Sequence, residues 1–156
     1  MEFTLFSDYM QIELYDTACT AELADHWIGN DHVAPAGDAV AVMTGVNAPV
    51  VVTVEVLDAP PPPDADAFAH VTECSLESPS GRLRLTCPTY GDDDGDRFDV
   101  PAGWLRLRVS LTHEPFTEDP PAADPLPLRL QLWPAAGPQP PILVKGWDPT
   151  AGRMFP

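Results

Sequence analysis

The stretch Gly103–Leu111, GWLRLRVSL, decides the fold. Leu105, Leu107, Val109 and Leu111 alternate with Arg106, Arg108 and Ser110, the period of two that an extended strand shows when one face meets a core and the other does not. The same rhythm recurs in GRLRLTC (Gly81–Cys87) and PLRLQLWP (Pro127–Pro134). In VVVTVEVL (Val50–Leu57), Val52, Val54 and Val56 point one way and Thr53 and Glu55 the other. MQIELY (Met10–Tyr15) sets Met10, Ile12 and Leu14 against Gln11, Glu13 and Tyr15. EFTLF (Glu2–Phe6), AVAVM (Ala39–Met43), AHVTECSL (Ala69–Leu76), RFDV (Arg97–Val100) and PILVK (Pro141–Lys145) read as shorter strands, which brings the set to about ten. That pattern predicts an all-β fold, an antiparallel β-sandwich of jelly-roll-like character.

Composition agrees. Twenty of the 156 residues are proline, well above the usual share of roughly 5%, and proline shortens helices and fills loops. At most one short helix is expected, over TACTAELADHWI (Thr17–Ile28), with Thr17 or Thr20 as its cap and Gly29 and Asn30 as its end. DAPPPPDADA (Asp58–Ala67) and HEPFTEDPPAADP (His113–Pro125) are flanked too closely by strands to be linkers. The length suits one domain over residues 1–156, with a proline-rich C-terminal extension from about residue 134.

Charge is the loudest feature: 24 acidic against 8 basic residues give a formal net charge of -16. Between Met1 and Ser80 there is no Lys or Arg, so the 14 acidic groups of that half stand uncompensated, while the rest sets 10 acids against 8 bases. Such a field repels nucleic acid and anionic lipid and speeds encounter with a cationic protein. The bland alternative is a solubility or salt adaptation. The start MEFTLFSDYMQIELYD lacks the basic, then apolar, pattern of a signal peptide. The longest apolar run, APVVVTVEVL (Ala48–Leu57), is far shorter than the ~20 residues of a membrane helix. A soluble, cytoplasmic protein is expected.

Arg82, Arg84, Arg106, Arg108 and Arg129 all fall on the polar phase of strands. Neighbouring arginines repel unless acids interleave, and the strand-borne acids Glu13, Glu55, Glu73 and Glu77 come from the base-free half. Strands of the two halves are therefore expected to interleave in one sheet.

No constellation points to catalysis: the sequence has no G-x-S-x-G elbow, no P-loop and no G-x-G-x-x-G. The aspartate run Asp92, Asp93, Asp94, Asp96 fails as an EF-hand, because Arg97 stands in the glycine's place and Gly103 where the closing Glu belongs. Gly91 to Asp96 reads first as a hairpin connection and second as a recognition feature. Asp25, Asp31 and Trp27 form a second acidic cluster with an aromatic anchor. His26 and His32 read as solvated loop residues and His70 and His113 as structural ones, with no metal ligand set and no cofactor expected. Cys19, Cys74 and Cys87 have no C-x-x-C spacing and suit buried or half-buried thiols.

The order LFSDYMQIELYD (Leu5–Asp16), DHW (Asp25–Trp27), GDAVAVMTG (Gly37–Gly45), VVVTVEVL and DRFDVPAGWLRLRVSL (Asp96–Leu111) resembles the competence J (ComJ) family, inhibitors of a DNA-entry nuclease. Ser7, Tyr9 and Gln11 match its opening S-Y-x-Q segment. Phe98, Val100, Pro101, Gly103, Trp104 and Leu107 match its late P-x-G segment, with Trp104 where the family tends to have tyrosine. The resemblance implies a non-catalytic inhibitor whose carboxylates stand in for phosphate in the cationic groove of a basic partner, a nuclease. Asp92, Asp93, Asp94 and Asp96, with Asp25, Asp31 and Trp27, are then the expected partner-binding residues. The other open reading is a calcium- or carbohydrate-binding β-sandwich module.

Overall fold

A computed structural model describes residues 1–19, 23, 32–91, 93–115, 117, 119, 124–148 and 151–155. Ten strands lie where alternation places them: β1 (Glu2–Ser7), β2 (Gln11–Asp16), β4 (Ala39–Met43), β5 (Ala48–Val56), β6 (His70–Ser78), β7 (Arg82–Thr86), β8 (Asp96–Asp99), β9 (Gly103–Leu111), β10 (Leu126–Pro134) and β11 (Ile142–Asp148). Two more, β3 (Val33–Pro35) and β12 (Arg153–Phe155), are three residues each, too short for a period of two to reveal. A single 3-10 turn, Ala65–Ala67, is the only helical element among the described residues. The expected helix over 17–28 falls largely outside them. No helix among the described residues is long and apolar enough to cross a membrane.

The strands form two sheets, one of seven in the order β1-β5-β10-β9-β6-β11-β12 and one of five in the order β3-β4-β2-β7-β8. Every pairing is antiparallel except β5 with β10. Parallel neighbours need a long crossover, and the chain between these two travels through β6 to β9 before β10 inserts beside β5. The larger sheet thus interleaves the acidic first half with the arginine-bearing second half.

The two sheets face each other across one core. Ile12, Leu14, Val40, Val42, Leu83, Leu85 and Phe98 meet Val50, Val52, Val54, Leu76, Leu105, Leu107, Val109, Leu128, Leu130 and Leu132. Each such leucine or valine removed from water contributes ~1.5–3 kcal/mol, so the central strands β9 and β10 dominate the fold. Met10 breaks its expected place in this pattern. It lies in the β1–β2 turn and is exposed rather than facing the core with Ile12 and Leu14.

On the outer face of the seven-stranded sheet the arginines are neutralised. Glu73 accepts from Arg106 and Arg108 at 3.4 and 2.8 Å, and Asp64 pairs with Arg129 at 2.8 Å. The proline-rich connection after β5 lies over this face: Pro62 O accepts from Arg108, Ala65 O from Lys145, and Phe68 stacks under the Arg129 guanidinium. The connection after β10 does the same, with Gln139 O and Pro140 O accepting from Arg106. Proline brings a carbonyl acceptor without an N–H donor, which suits a segment laid against arginines. The other expected acids take different partners: Glu55 accepts from Gln131, Glu13 from Gln11 and Tyr15, and Glu77 stands opposite Trp104.

Candidate partner-binding end of the sandwich

Strand registers bring several connections to one end of the molecule. β1 ends there at Ser7, opposite Ala48 at the start of β5. β7 ends there at Thr86, opposite Glu13 near the start of β2. β9 ends and β10 begins there, since Leu111 stands opposite Leu128. The Asp8–Met10 turn, the Thr44–Asn47 connection, the Cys87–Gly95 loop and the β9–β10 connection all emerge at this end. The turn and the Cys87–Gly95 loop leave from the adjacent strands β2 and β7.

The loop carries Asp93 and Asp94, and Asp96 opens β8 directly after it. Asp93, Asp94 and Asp96 are exposed, and no ion pair among the described residues uses their carboxylates. The loop is held by other atoms: Arg97 donates to the backbone oxygens of Asp93 and Gly95, Arg84 donates to Gly91 O, and Asp94 Oδ2 accepts from Gly91 N at 3.0 Å. Two nearby cations are thus spent on carbonyls, leaving the side chains of Asp93 and Asp96 to face solvent. Gly95 is required where it is: its φ is +108°, and a side chain there would run into the backbone of Leu85. Asp92, and the second expected cluster of Asp25, Trp27 and Asp31, lie outside the described residues.

Beside this loop stands an aromatic tip that alternation did not single out. Tyr9 and Met10 have φ of 50° and 59°, the left-handed region at both central positions of the tight turn Asp8–Gln11 that carries the chain from one sheet to the other, closed by Gln11 N donating to Asp8 O at 3.1 Å. Such a turn favours Asn-Gly, and each bulky residue held there costs ~1–2 kcal/mol. Asn47 and Thr44 hold it in place: Asn47 Oδ1 accepts from Met10 N and Met10 O accepts from Thr44 N, both at 2.8 Å. The outcome is a projecting, apolar tip, with Tyr9 72%, Met10 48% and Phe6 43% exposed.

A cluster of a different kind closes the seam between the sheets at the same end. His32 immediately precedes β3 and His70 opens β6. Their rings sit 4.1 Å apart at 52°. Glu114, in the connection after β9, accepts from His70 Nδ1 at 3.2 Å and from Trp147 N at 2.8 Å through Oε2. His32, expected as a solvated loop residue, is 7% exposed: adjoining β3 at the edge of the smaller sheet, it is covered by β6 of the larger one. Burial, reinforced by His70, lowers its pKa to about 4, so its imidazole is neutral at pH 7. Burial alone would raise Glu114, but the bonds from His70 and Trp147 outweigh it and hold the carboxyl below its ordinary range. His113 is buried as well, its Nε2 donating to Thr44 O at 2.7 Å. Of the cysteines, Cys74 and Cys87 are buried and Cys19 is half-buried, and burial pushes the Cys74 thiol up to about 12. His32, His70 and Glu114 are the described residues whose donor atoms converge closely enough to hold a metal ion.

No protein-family model and no curated protein matches the chain. Two solved structures share its architecture. One, described as crocagin biosynthetic gene J, superposes with a TM-score of 0.61 at 20% identity, covering 85% of this chain and 95% of its own. The other, ComJ from Bacillus subtilis, described as an inhibitor of the DNA-degrading activity of NucA, superposes with a TM-score of 0.59 at 12% identity, covering 86% and 96%. The fold is similar to that of ComJ. At these identities the likeness to ComJ is one of architecture.

Proposed function

We propose that this protein is a non-catalytic inhibitor that binds a basic partner, a nuclease, by offering carboxylates where the enzyme receives phosphates. The observation that carries this reading is the division of charge. Arg82, Arg106, Arg108 and Arg129 are matched by Glu73, Asp64 and Asp99, whereas the carboxylates of Asp93 and Asp96 stand exposed and outside any ion pair among the described residues, the nearby Arg84 and Arg97 donating to backbone carbonyls. A surface of that kind is attracted to a cationic groove over a Debye length of ~8–10 Å and repels the nucleic acid that competes for it. Tyr9, Met10 and Phe6 supply the apolar contact that charge alone lacks, since binding energy concentrates in desolvated aromatic anchors. ComJ, of similar fold, is described as inhibiting a nuclease, which supports the same role here.

The test is affinity capture from a lysate of the native source at low salt, elution by a salt step, and assay of the eluate for DNA degradation with and without added purified protein. DNA degradation suppressed stoichiometrically by the protein is the expected result. An eluate without nuclease activity, or with activity the protein leaves untouched, overturns the proposal.

A further inference from the structure

The His32, His70 and Glu114 cluster has no part in that reading, yet its construction is specific. Three side chains come from three separate places: the edge of the five-stranded sheet, the start of β6 in the seven-stranded sheet, and the connection after β9. One donor atom from each lies within 4.8 Å of the others. His70 is fully buried and the Glu114 side chain is 20% exposed. Glu114 Oε2 faces His70 Nδ1 at 3.2 Å and is held there by the Trp147 N–H, so ring nitrogen and carboxylate are presented to one point.

Two atoms here are left over. His70 Nε2 and Glu114 Oε1 are buried and have no hydrogen-bond partner. Buried polar atoms are nearly always satisfied, so a carboxylate oxygen that finds no donor beside two imidazoles points to a ligand that accepts electron pairs. A cation does this. Held between His70 Nδ1 and Glu114, it takes the place of the proton they share and lies within reach of the carboxylate.

The backbone is also shaped around the cluster. β11 shifts register between Leu143 and Lys145 where it passes β6. Directly after this shift Gly146, with φ of +133°, lies so close that any side chain would collide with His70 Nδ1 and crowd Glu114 Oε2. Only glycine lets the strand adopt this path, and the path brings the N–H of Trp147 to the carboxylate.

We propose that His32, His70 and Glu114 form a binding site for a divalent cation of the zinc class, which ties the edge of the smaller sheet to the larger one. Two imidazoles and one carboxylate select zinc, cobalt or nickel over magnesium and calcium, which require oxygen. Tetrahedral zinc, at ~2.0–2.2 Å from each donor, places donor atoms about 3.4 Å apart. His70 Nδ1 and Glu114 Oε2, 3.2 Å apart, are already close to that spacing, and an approach of the His32 ring completes the set. Three protein ligands leave a fourth position for water or for a group of a partner.

The test uses the full, untagged chain, stripped with chelator, and reads thermal unfolding and calorimetric titration with zinc, then with magnesium and calcium. Zinc should bind one ion per chain and raise Tm by about 5 °C or more at saturation, whereas magnesium and calcium leave Tm unchanged. Cobalt should give the visible absorption of a tetrahedral nitrogen and oxygen site without the near-ultraviolet band of a thiolate ligand. His32→Ala should abolish the zinc shift. Glu114→Gln keeps an acceptor for His70 and Trp147, so it should fold and weaken zinc binding at least tenfold. Absence of a zinc shift, an equal shift with calcium, a thiolate band, or a zinc shift surviving in both variants overturns the site. None of these outcomes depends on nuclease inhibition.

Discussion

Glu73 and Arg108 are register partners across β6 and β9, joined from Nε to Oε1 at 2.8 Å, and the second oxygen of the same carboxylate receives Arg106 at 3.4 Å. One acid from the base-free half of the chain thereby settles two cations from the other half. This pairing explains how a chain with so few bases can stack arginines on adjacent strand positions without repulsion. It also separates the protein's acids into those that hold the sheet together and those that face solvent.

Replacing Glu73 by Ala should therefore be severe. It leaves Arg106, which is buried, with only Ser75 and the carbonyls of Gln139 and Pro140, and breaking a buried ion pair from one side costs ~3 kcal/mol or more. Glu73→Gln keeps an acceptor and should cost about half as much. Urea unfolding of the two variants measures both, and a loss under 1 kcal/mol for Glu73→Ala would show that the pair is not structural.

Asp16 sets the acid limit of stability. Its carboxylate is buried, yet it accepts from Ser78 Oγ at 2.7 Å, from Ser80 Oγ and N at 2.7 and 3.1 Å, and from Ala18 N at 2.9 Å. Burial pushes its pKa up, and these four donors together outweigh burial and leave it below the ordinary value. A carboxyl depressed in the folded state adds stability that is complete above its unfolded pKa of ~3.9 and drains away as pH falls through the lower folded value. Asp16→Asn should cost ~2 kcal/mol at pH 7, and the gap between the two proteins should narrow from about pH 4 downward. Chemical denaturation from pH 7 to pH 3 tests this, and a gap independent of pH contradicts it.

Much of this architecture is legible in the sequence because alternation reports burial directly. Leu105, Leu107 and Val109 against Arg106 and Arg108 identify β9 and its inward face without a coordinate. Orientation and pairing are another matter. A period of two is the same in parallel and antiparallel strands, so the parallel β5–β10 pair carries no mark in the chain. Three residues, as in Val33–Pro35, are too few to show a period at all. His70 and Glu114 are 44 residues apart and meet only because β6 and β9 pair, and the burial of His32 follows from its place beside an edge strand covered by the other sheet. The exposed run of Asp93, Asp94 and Asp96 was readable from composition, whereas the left-handed turn at Tyr9 and Met10 lacks the Asn-Gly that would announce it.

That turn yields a trade between stability and binding. Tyr9→Asn with Met10→Gly supplies the residues the left-handed turn favours and should stabilise the fold by about 1 kcal/mol or more. The same double variant removes the tip's aromatic and thioether surface, so inhibition of the captured nuclease should weaken about tenfold or more. Thermal unfolding and an inhibition titration measure the two effects separately. A variant that is more stable and equally inhibitory removes the tip from the interface.

The aspartate loop should act chiefly on the rate of encounter. Asp93 and Asp96 make no side-chain bond within the described protein, so Asp93→Asn and Asp96→Asn should leave stability within about 0.5 kcal/mol of the parent. Asp94→Asn differs, since Asp94 also receives Gly91 N and its loss loosens the loop itself. If the loop meets a cationic groove, neutralising Asp93 and Asp96 together lowers the association rate several-fold at low salt. That difference should vanish near 1 M salt, where the Debye length falls to ~3 Å. Dissociation should change less than association, because exposed charges steer approach more than they hold a formed complex. Stopped-flow or surface-binding kinetics over a salt series separate these outcomes. Association rates that are equal for parent and double variant at every salt concentration would place the partner's contact elsewhere on the sandwich.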